Sequence, residues 1–212
     1  MNTKVVLKLA VASLAASAFG AAIAAPLTVA SYDMLNGNTG SYNYWDDTYS
    51  GTGAIGTNNA PLSGGKGDLT DGVVANNNWF VTEAPVGPGP YVGWTIDPTI
   101  HFHFGGLVNI QKVSFNFDDS NGAGGVSAPR SVQIAGTTYG VADPSGDAPF
   151  QFDVVGLNLN VADLQIAIQR ANAWVFISEI SFDGQRGGVL PEPGALSLLA
   201  LGMIGLAFAK RR

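Results

Sequence analysis

Ile100-His101-Phe102-His103-Phe104-Gly105-Gly106-Leu107-Val108-Asn109-Ile110-Gln111-Lys112-Val113-Ser114-Phe115-Asn116-Phe117 is the stretch that decides the fold class. Strand side chains alternate between two faces, so Ile100, Phe102 and Phe104 share one face, and Val113, Phe115 and Phe117 point inward from the next run. Gly105-Gly106 reads as a turn between two strands, since paired glycines commonly break strands. Downstream, Pro129–Ala135 is a strand with Val132 and Ile134 in phase, and Thr137–Val141 is its hairpin partner. Phe150–Val155 and Leu164–Ile168 are two further alternating runs, and Trp174–Phe182 closes the series. Upstream, Leu27–Tyr32 is a first strand and Ala84–Pro90 a Pro/Gly turn. Between them Asn36–Leu62 is a long Gly-, Asn-, Ser- and Thr-rich loop. Its Tyr42, Tyr44, Trp45 and Tyr49 imply that part of it packs. About eight short strands and no long 3.6-residue period predict an all-β protein, an antiparallel β-sandwich or jelly roll.

Both ends differ from this interior. Met1–Ala25 carries Lys4 and Lys8, an apolar stretch from Leu9 to Ile23, and Ala22-Ile23-Ala24 as an A-x-A cleavage site. That is the pattern of a signal helix cut by signal peptidase after Ala24. At the other end Pro191-Glu192-Pro193 is followed by Ala195–Ala209, where only Ser197 is polar, and by Lys210-Arg211-Arg212. The two prolines keep the tripeptide extended. The apolar helix after it covers roughly 23 Å at 1.5 Å per residue, short of a ~30 Å hydrocarbon core. The closing bases stay cytoplasmic by the positive-inside tendency. The expected division is a signal peptide at 1–24, a β-sandwich at 25–184, and a linker with a hydrophobic sorting helix at 185–212.

Of the ten bases and sixteen acids, five bases and one acid lie in the terminal segments, which leaves the interior near −10. A surface so acidic argues against nucleic acid as a partner. There is no cysteine, so an exported domain of this kind is stabilised by its core or by a metal rather than by disulfides.

The tail, with its Pro-Glu-Pro, short apolar helix and terminal bases in that order, resembles the PEP-CTERM sorting signal. The resemblance implies export by a Gram-negative bacterium that makes extracellular polysaccharide. It implies a membrane intermediate held by the transient C-terminal helix, and cutting near Pro191, Glu192 and Pro193 by an exosortase. The destination is then the cell surface or extracellular matrix, with Lys210, Arg211 and Arg212 part of the discarded signal.

A second resemblance lies in the interior. Leu69-Thr70-Asp71-Gly72, Trp79, Tyr91-Val92-Gly93-Trp94, Ile100–Gly105, Ile110–Val113, Ser131–Ile134 and Ser178-Glu179-Ile180, in that order, are similar to the landmarks of discoidin or galactose-binding-like domains. The resemblance implies carbohydrate binding and one structural Ca²⁺. By it, Asp71 and Glu179 supply carboxylates, Asn76 a side-chain carbonyl, and Asp68, Val73 and Ser178 backbone carbonyls. The residues themselves fit: Ca²⁺ takes six to eight oxygens from a tight loop, Gly72 permits the turn, and Glu179 is out of character in an apolar strand.

Sugar sites stack aromatic rings on apolar sugar faces and ring them with polar donors and acceptors. The candidates are Trp45, Tyr49, Asn77, Trp79 and Arg130, with Trp174 weighed beside them. Trp94 and Trp174, next to apolar runs, read as core packing. His101 and His103 sit two apart on one strand, but no third zinc ligand is apparent. No catalytic triad, phosphate loop or cysteine nucleophile is present, so the expectation is a non-enzymatic protein binding extracellular polysaccharide. The alternatives are a structural or adhesion matrix protein and, third, a glycoside hydrolase.

Overall fold

The alternation in Ile100–Phe104 and Val113–Phe117 yields fully buried apolar side chains in the computed structural model, which describes residues 24–85 and 87–187. Nine strands form: β1 (Ala25–Leu27), β2 (Ser31–Leu35), β3 (Pro61–Gly65), β4 (Val92–Trp94), β5 (Thr99–Phe117), β6 (Ser131–Ile134), β7 (Thr137–Gly140), β8 (Phe150–Gln169) and β9 (Val175–Arg186). Among the described residues helical structure is limited to one short helix, α1 (Trp79–Thr82), and 3-10 turns at Asp68–Thr70 and Ala123–Gly125. Every strand-to-strand ladder is antiparallel. The protein is the all-β, antiparallel class read from its sequence.

The long strands β5 and β8 belong to both layers of the sandwich. Residues 100–103 of β5 pair with β2 on one side and β8 on the other. Residues 108–117 pair with β9 and again with β8. Between these halves the two strands bulge in turn. Residues 104–107 of β5 stand opposite Ala162 alone, and residues 156–158 of β8 stand opposite Gln111 alone. Bulges bend a strand and let it pass from one sheet to the next. Gly105, at φ +69, and Gly156, at φ +73, occupy the left-handed backbone these corners need.

Here the structure corrects the sequence reading. Gly105-Gly106 does not reverse the chain, because both flanking halves keep the same neighbour, β8. Likewise Phe150–Val155 and Leu164–Ile168 are ends of one strand. The first expected strand divides into β1 and β2, which pair with different partners, β9 and β5. Residues 185 and 186, read as linker, continue β9 against β5. The β6–β7 hairpin forms as expected, turning at Ala135 and Gly136 with φ +48 and +84. Positive φ at both central residues matches the twist of a two-residue hairpin.

The main core lies between the layers. Phe182 of β9 meets Phe102 and Phe104 of the other layer at ring-centroid distances of 4.9 and 5.1 Å. Phe115 and Phe117 stack at 5.5 Å, and Val132, Ile134, Ile166 and Ile168 close the interior. Removing each such side chain from water contributes roughly 1.5–3 kcal/mol. A second, smaller cluster of Tyr44, Ala75, Tyr91, Val126 and Phe176 forms at one end, among the loops.

Candidate functional site

The second cluster grows from loops rather than from strand alternation. Tyr42 and Tyr44 come from the long loop after β2, Trp79 opens α1, and Trp174 and Phe176 lie at the start of β9. The Tyr44 ring is 4.6 Å from Phe176, 5.5 Å from Trp174 and 5.9 Å from Trp79, centroid to centroid. Glycine makes this approach possible. A Cβ on Gly40 would lie 2.9 Å from the Tyr44 ring and 3.1 Å from that of Trp174, and one on Gly124 would lie 2.5 Å from Trp79.

These rings frame a cavity of about 170 Å³, lined by Gly40, Ser41, Tyr44, Trp79, Gly124, Val126, Trp174 and Phe176. Pockets for drug-sized ligands hold roughly 300–1,000 Å³, so this one suits a single ring or substituent. Trp79 and Trp174 are half-buried, with edges reachable from outside. The Trp79 indole N–H is buried and has no hydrogen-bond acceptor.

Trp79 is held from behind. Its backbone N–H donates to Asp118 Oδ2 at 2.6 Å. Tyr91 Oη donates to the Asn77 carbonyl at 2.9 Å, and Thr82 Oγ1 to the same oxygen at 2.8 Å. Burial, first of all, raises the Asp118 pKa to about 6, against hydrogen bonds from Ser120, Trp79 and Asn78 that lower it.

The expected ligand residues separate. Trp79 lines the cavity. Asn77 is exposed beside it, its carbonyl already occupied. Trp45 is half-buried elsewhere in the long loop and donates its indole N–H to Asn58 Oδ1 at 2.8 Å. Tyr49 is buried in the main core, packed at 5.3 Å against Tyr32, and its hydroxyl accepts the Gly65 N–H at 2.9 Å. It offers no surface for stacking. Arg130 is exposed at the entrance to β6 and does not line the cavity. Trp94 is core, as expected, donating to the Leu35 carbonyl at 2.8 Å. Trp174, read as core packing, instead forms a wall of the cavity. Tyr44 and Ser41 were not singled out; the aromatic density of their loop was the available signal.

The expected metal residues meet in part. The loop Asp68–Asn76 folds against β9, and the Gly72 N–H donates to Glu179 Oε2 at 2.9 Å across 107 residues of sequence. Glu179 does not face solvent: it is 7% exposed. Burial, then the charge of Asp71, lifts its pKa to about 7, against the Gly72 hydrogen bond. Ser178 Oγ accepts the Ala75 N–H at 3.2 Å. Asp71 is exposed and accepts the Val73 N–H at 2.8 Å, and Val73 and Asn76 are exposed as well. Asp68, expected to give its backbone carbonyl, has its side chain engaged with the long loop. Its carboxylate accepts the Asp47 N–H at 3.1 Å and the Thr48 hydroxyl. Among the described residues no three His, Cys, Asp or Glu side chains converge as a metal centre. A cation here would draw on Asp71 and Glu179 and otherwise on carbonyl and amide oxygens, a donor set that fits Ca²⁺.

His101 and His103 do not form a metal pair: His103 lies between Asp163, at 2.6 Å, and Asp33, at 3.1 Å. The hydrogen bond it donates to Asp163 is the main cause of its raised pKa.

Residues 189–212 match the model of the PEP-CTERM protein-sorting motif. The tail is a PEP-CTERM motif. It implies exosortase-dependent export. Pro191, Glu192, Pro193, Lys210, Arg211 and Arg212 lie within the match and outside the described residues, as does most of the expected signal peptide at the other end. Among the described residues no helix is long and apolar enough to cross a membrane.

No curated protein matches the chain. Among solved structures it is similar to a truncated AlyQ with CBM32 and alginate lyase domains. The identity is 10% and the TM-score 0.42, over 77% of this chain and 34% of that one. It is also similar to the family 32 carbohydrate-binding module of C. perfringens NanJ in complex with galactose, at 11% identity and TM-score 0.31, over 44% and 75% of the two chains. The fucolectin of striped bass serum (Morone saxatilis) aligns at 15% identity and TM-score 0.37, over 54% and 39%. This chain thus spans about a third of the AlyQ fragment.

Proposed function

We propose that the exported sandwich binds carbohydrate at the cavity between Trp79 and Trp174, as a non-enzymatic component of the extracellular polysaccharide matrix. The supporting observation is the pair of half-buried indole rings that line one cavity. Aromatic faces attract the C–H faces of a sugar. Ser41 adds a hydroxyl at the rim. The small volume suits one terminal or protruding sugar unit of a chain.

Asp71 and Glu179 hold a structural Ca²⁺ beside this end of the sandwich. Support comes from a buried carboxylate whose named neighbours are an N–H and a second carboxylate. Signal peptidase cuts after Ala24. The C-terminal helix then anchors an inner-membrane intermediate, until exosortase cutting near Pro191–Pro193 delivers the domain to the surface of a Gram-negative cell. The mature form lacks Arg212, which intact-mass measurement on exported protein checks directly.

A glycan array of the full-length chain and of Trp79→Ala, with and without calcium, tests the binding. Wild type should retain a defined set of glycans that Trp79→Ala loses. An array silent for wild type in calcium would favour the structural matrix role instead.

A further inference from the structure

Among the described residues Phe80 is the one aromatic side chain left exposed; every other ring is buried or half-buried. It follows Trp79 in α1, and 44% of it faces water. It belongs to neither apolar cluster, so core packing does not account for a phenyl ring there. Its ring meets that of Trp79 at 5.6 Å between centroids, with the planes at 90°. Val81, the next residue, is 53% exposed and extends the apolar surface. Phe80 does not line the aromatic cavity; it stands beside it, in contact with one of its walls.

The backbone that presents this ring is held firmly. The N–H groups of Val81 and Thr82 both donate to the Asn78 carbonyl at 3.0 Å, and that of Glu83 donates to the Trp79 carbonyl at 2.8 Å. Asn78 Nδ2 donates to Ser120 Oγ at 2.9 Å, and the Asn77 carbonyl receives the Tyr91 and Thr82 hydroxyls. An apolar side chain displayed on a fixed element gives up little freedom when a ligand covers it. Asn77, exposed three residues before Phe80, offers amide groups that can donate and accept.

We propose that Phe80 is the floor of a second sugar subsite, which stacks the unit next to the one held in the cavity. This rests on the reading of that cavity as a carbohydrate site. Sugars lie flat on aromatic rings, and the separation of the Trp79 and Phe80 rings is close to the length of one pyranose unit in a chain. Because the two rings are perpendicular, the sugars stacked on them stand at a right angle. The site therefore takes a glycan whose successive units turn or twist against one another, and it rejects a flat ribbon. Asn77 bonds a hydroxyl of the second unit.

The test is titration calorimetry on the full-length chain. The probe is a glycan retained by the wild-type array, taken as its monosaccharide and its trisaccharide. Wild type should bind the trisaccharide more tightly. Phe80→Ala should weaken the trisaccharide roughly tenfold, about the worth of one stacked ring, and leave the monosaccharide affinity and Tm as in wild type. Phe80→Tyr should bind the trisaccharide as wild type does, and Phe80→Leu, apolar but without a ring, should not. Flat β-1,4-linked glucose oligomers should be missing from the retained set. Equal weakening of both lengths, no weakening of either, full binding by Phe80→Leu, or retention of the flat oligomers would overturn the second subsite and leave the cavity standing. An array silent for wild type, or Trp79→Ala binding as wild type does, would overturn the cavity reading and this subsite with it.

Discussion

The interior of the sandwich and the loop end that carries Trp79 are built from opposite materials. The interior is aliphatic and aromatic throughout, set by residues two apart on β5, β6, β8 and β9. The loop end packs Tyr44, Tyr91 and Phe176 among carboxylates: Asp46, Asp68, Glu83, Asp118 and Asp119 are all 3% exposed or less. One region gains stability from removing apolar surface from water. The other spends some of it keeping carboxylates dry, and shapes a cavity in return.

The largest expected effect falls on the interior. Phe115→Ala should cost about 3–5 kcal/mol in urea unfolding, as large-to-small core changes do. Trp79→Ala, at a half-buried ring, should cost less than about 2 kcal/mol in the same assay. Equal losses would mean that the loop end is as integral to the fold as the core.

The second effect is on pH dependence. Burial leads the causes that raise the pKa of Asp46, Glu83 and Glu179 to about 7, and of Asp68 and Asp118 to about 6. The folded state therefore keeps protons that the unfolded chain has released by about pH 4–5. Stability is full below the unfolded values and falls as pH rises through the folded ones. His103, with its pKa raised, adds to the fall above its unfolded value. Chelated protein should melt at a higher temperature at pH 5 than at pH 8. Asp46→Asn should flatten the curve, because Asp46 accepts the Tyr32 hydroxyl and the Asp68 N–H with no cation beside it. A melting temperature that rises from pH 5 to pH 8 would show that these carboxylates ionise freely in the folded chain.

The smallest effect on stability should come from Gly124→Ala, about 1 kcal/mol or somewhat more for a side chain placed at φ +63. It sharpens the comparison because the new Cβ would press on the Trp79 ring at 2.5 Å. Glycan binding should fall more than stability does.

The same contrast explains what could be read in advance. Ile100, Phe102, Phe104, Val113, Phe115, Phe117, Val132 and Ile134 announce their burial by alternation alone, a local signal. Gly105-Gly106 announces a backbone irregularity, but whether it is a turn or a bulge depends on β8, some 50 residues away, continuing alongside. Glu179 is legible because a carboxylate in an apolar strand needs a reason, and the Gly72 N–H supplies part of it. The aromatic cavity is only half legible. Trp79 follows a run of asparagines, but Tyr44 reaches it through the fold of a 25-residue loop whose composition gives no register, and Trp174 from just before β9. The docking of the loop at 141–149 on Asn78 and Asn121 depends on how two loops meet, which neither loop encodes locally.

The chain has four tryptophans, and their indole N–H signals separate the regions cleanly. Two-dimensional ¹H–¹⁵N spectra should be recorded while a glycan from the array is titrated into the labelled protein. The signals of Trp79 and Trp174 should move together and saturably, while Trp94 in the core stays still. Movement of Trp45 alone, or of none of the four with a glycan that binds, would contradict the placement of the sugar in this cavity.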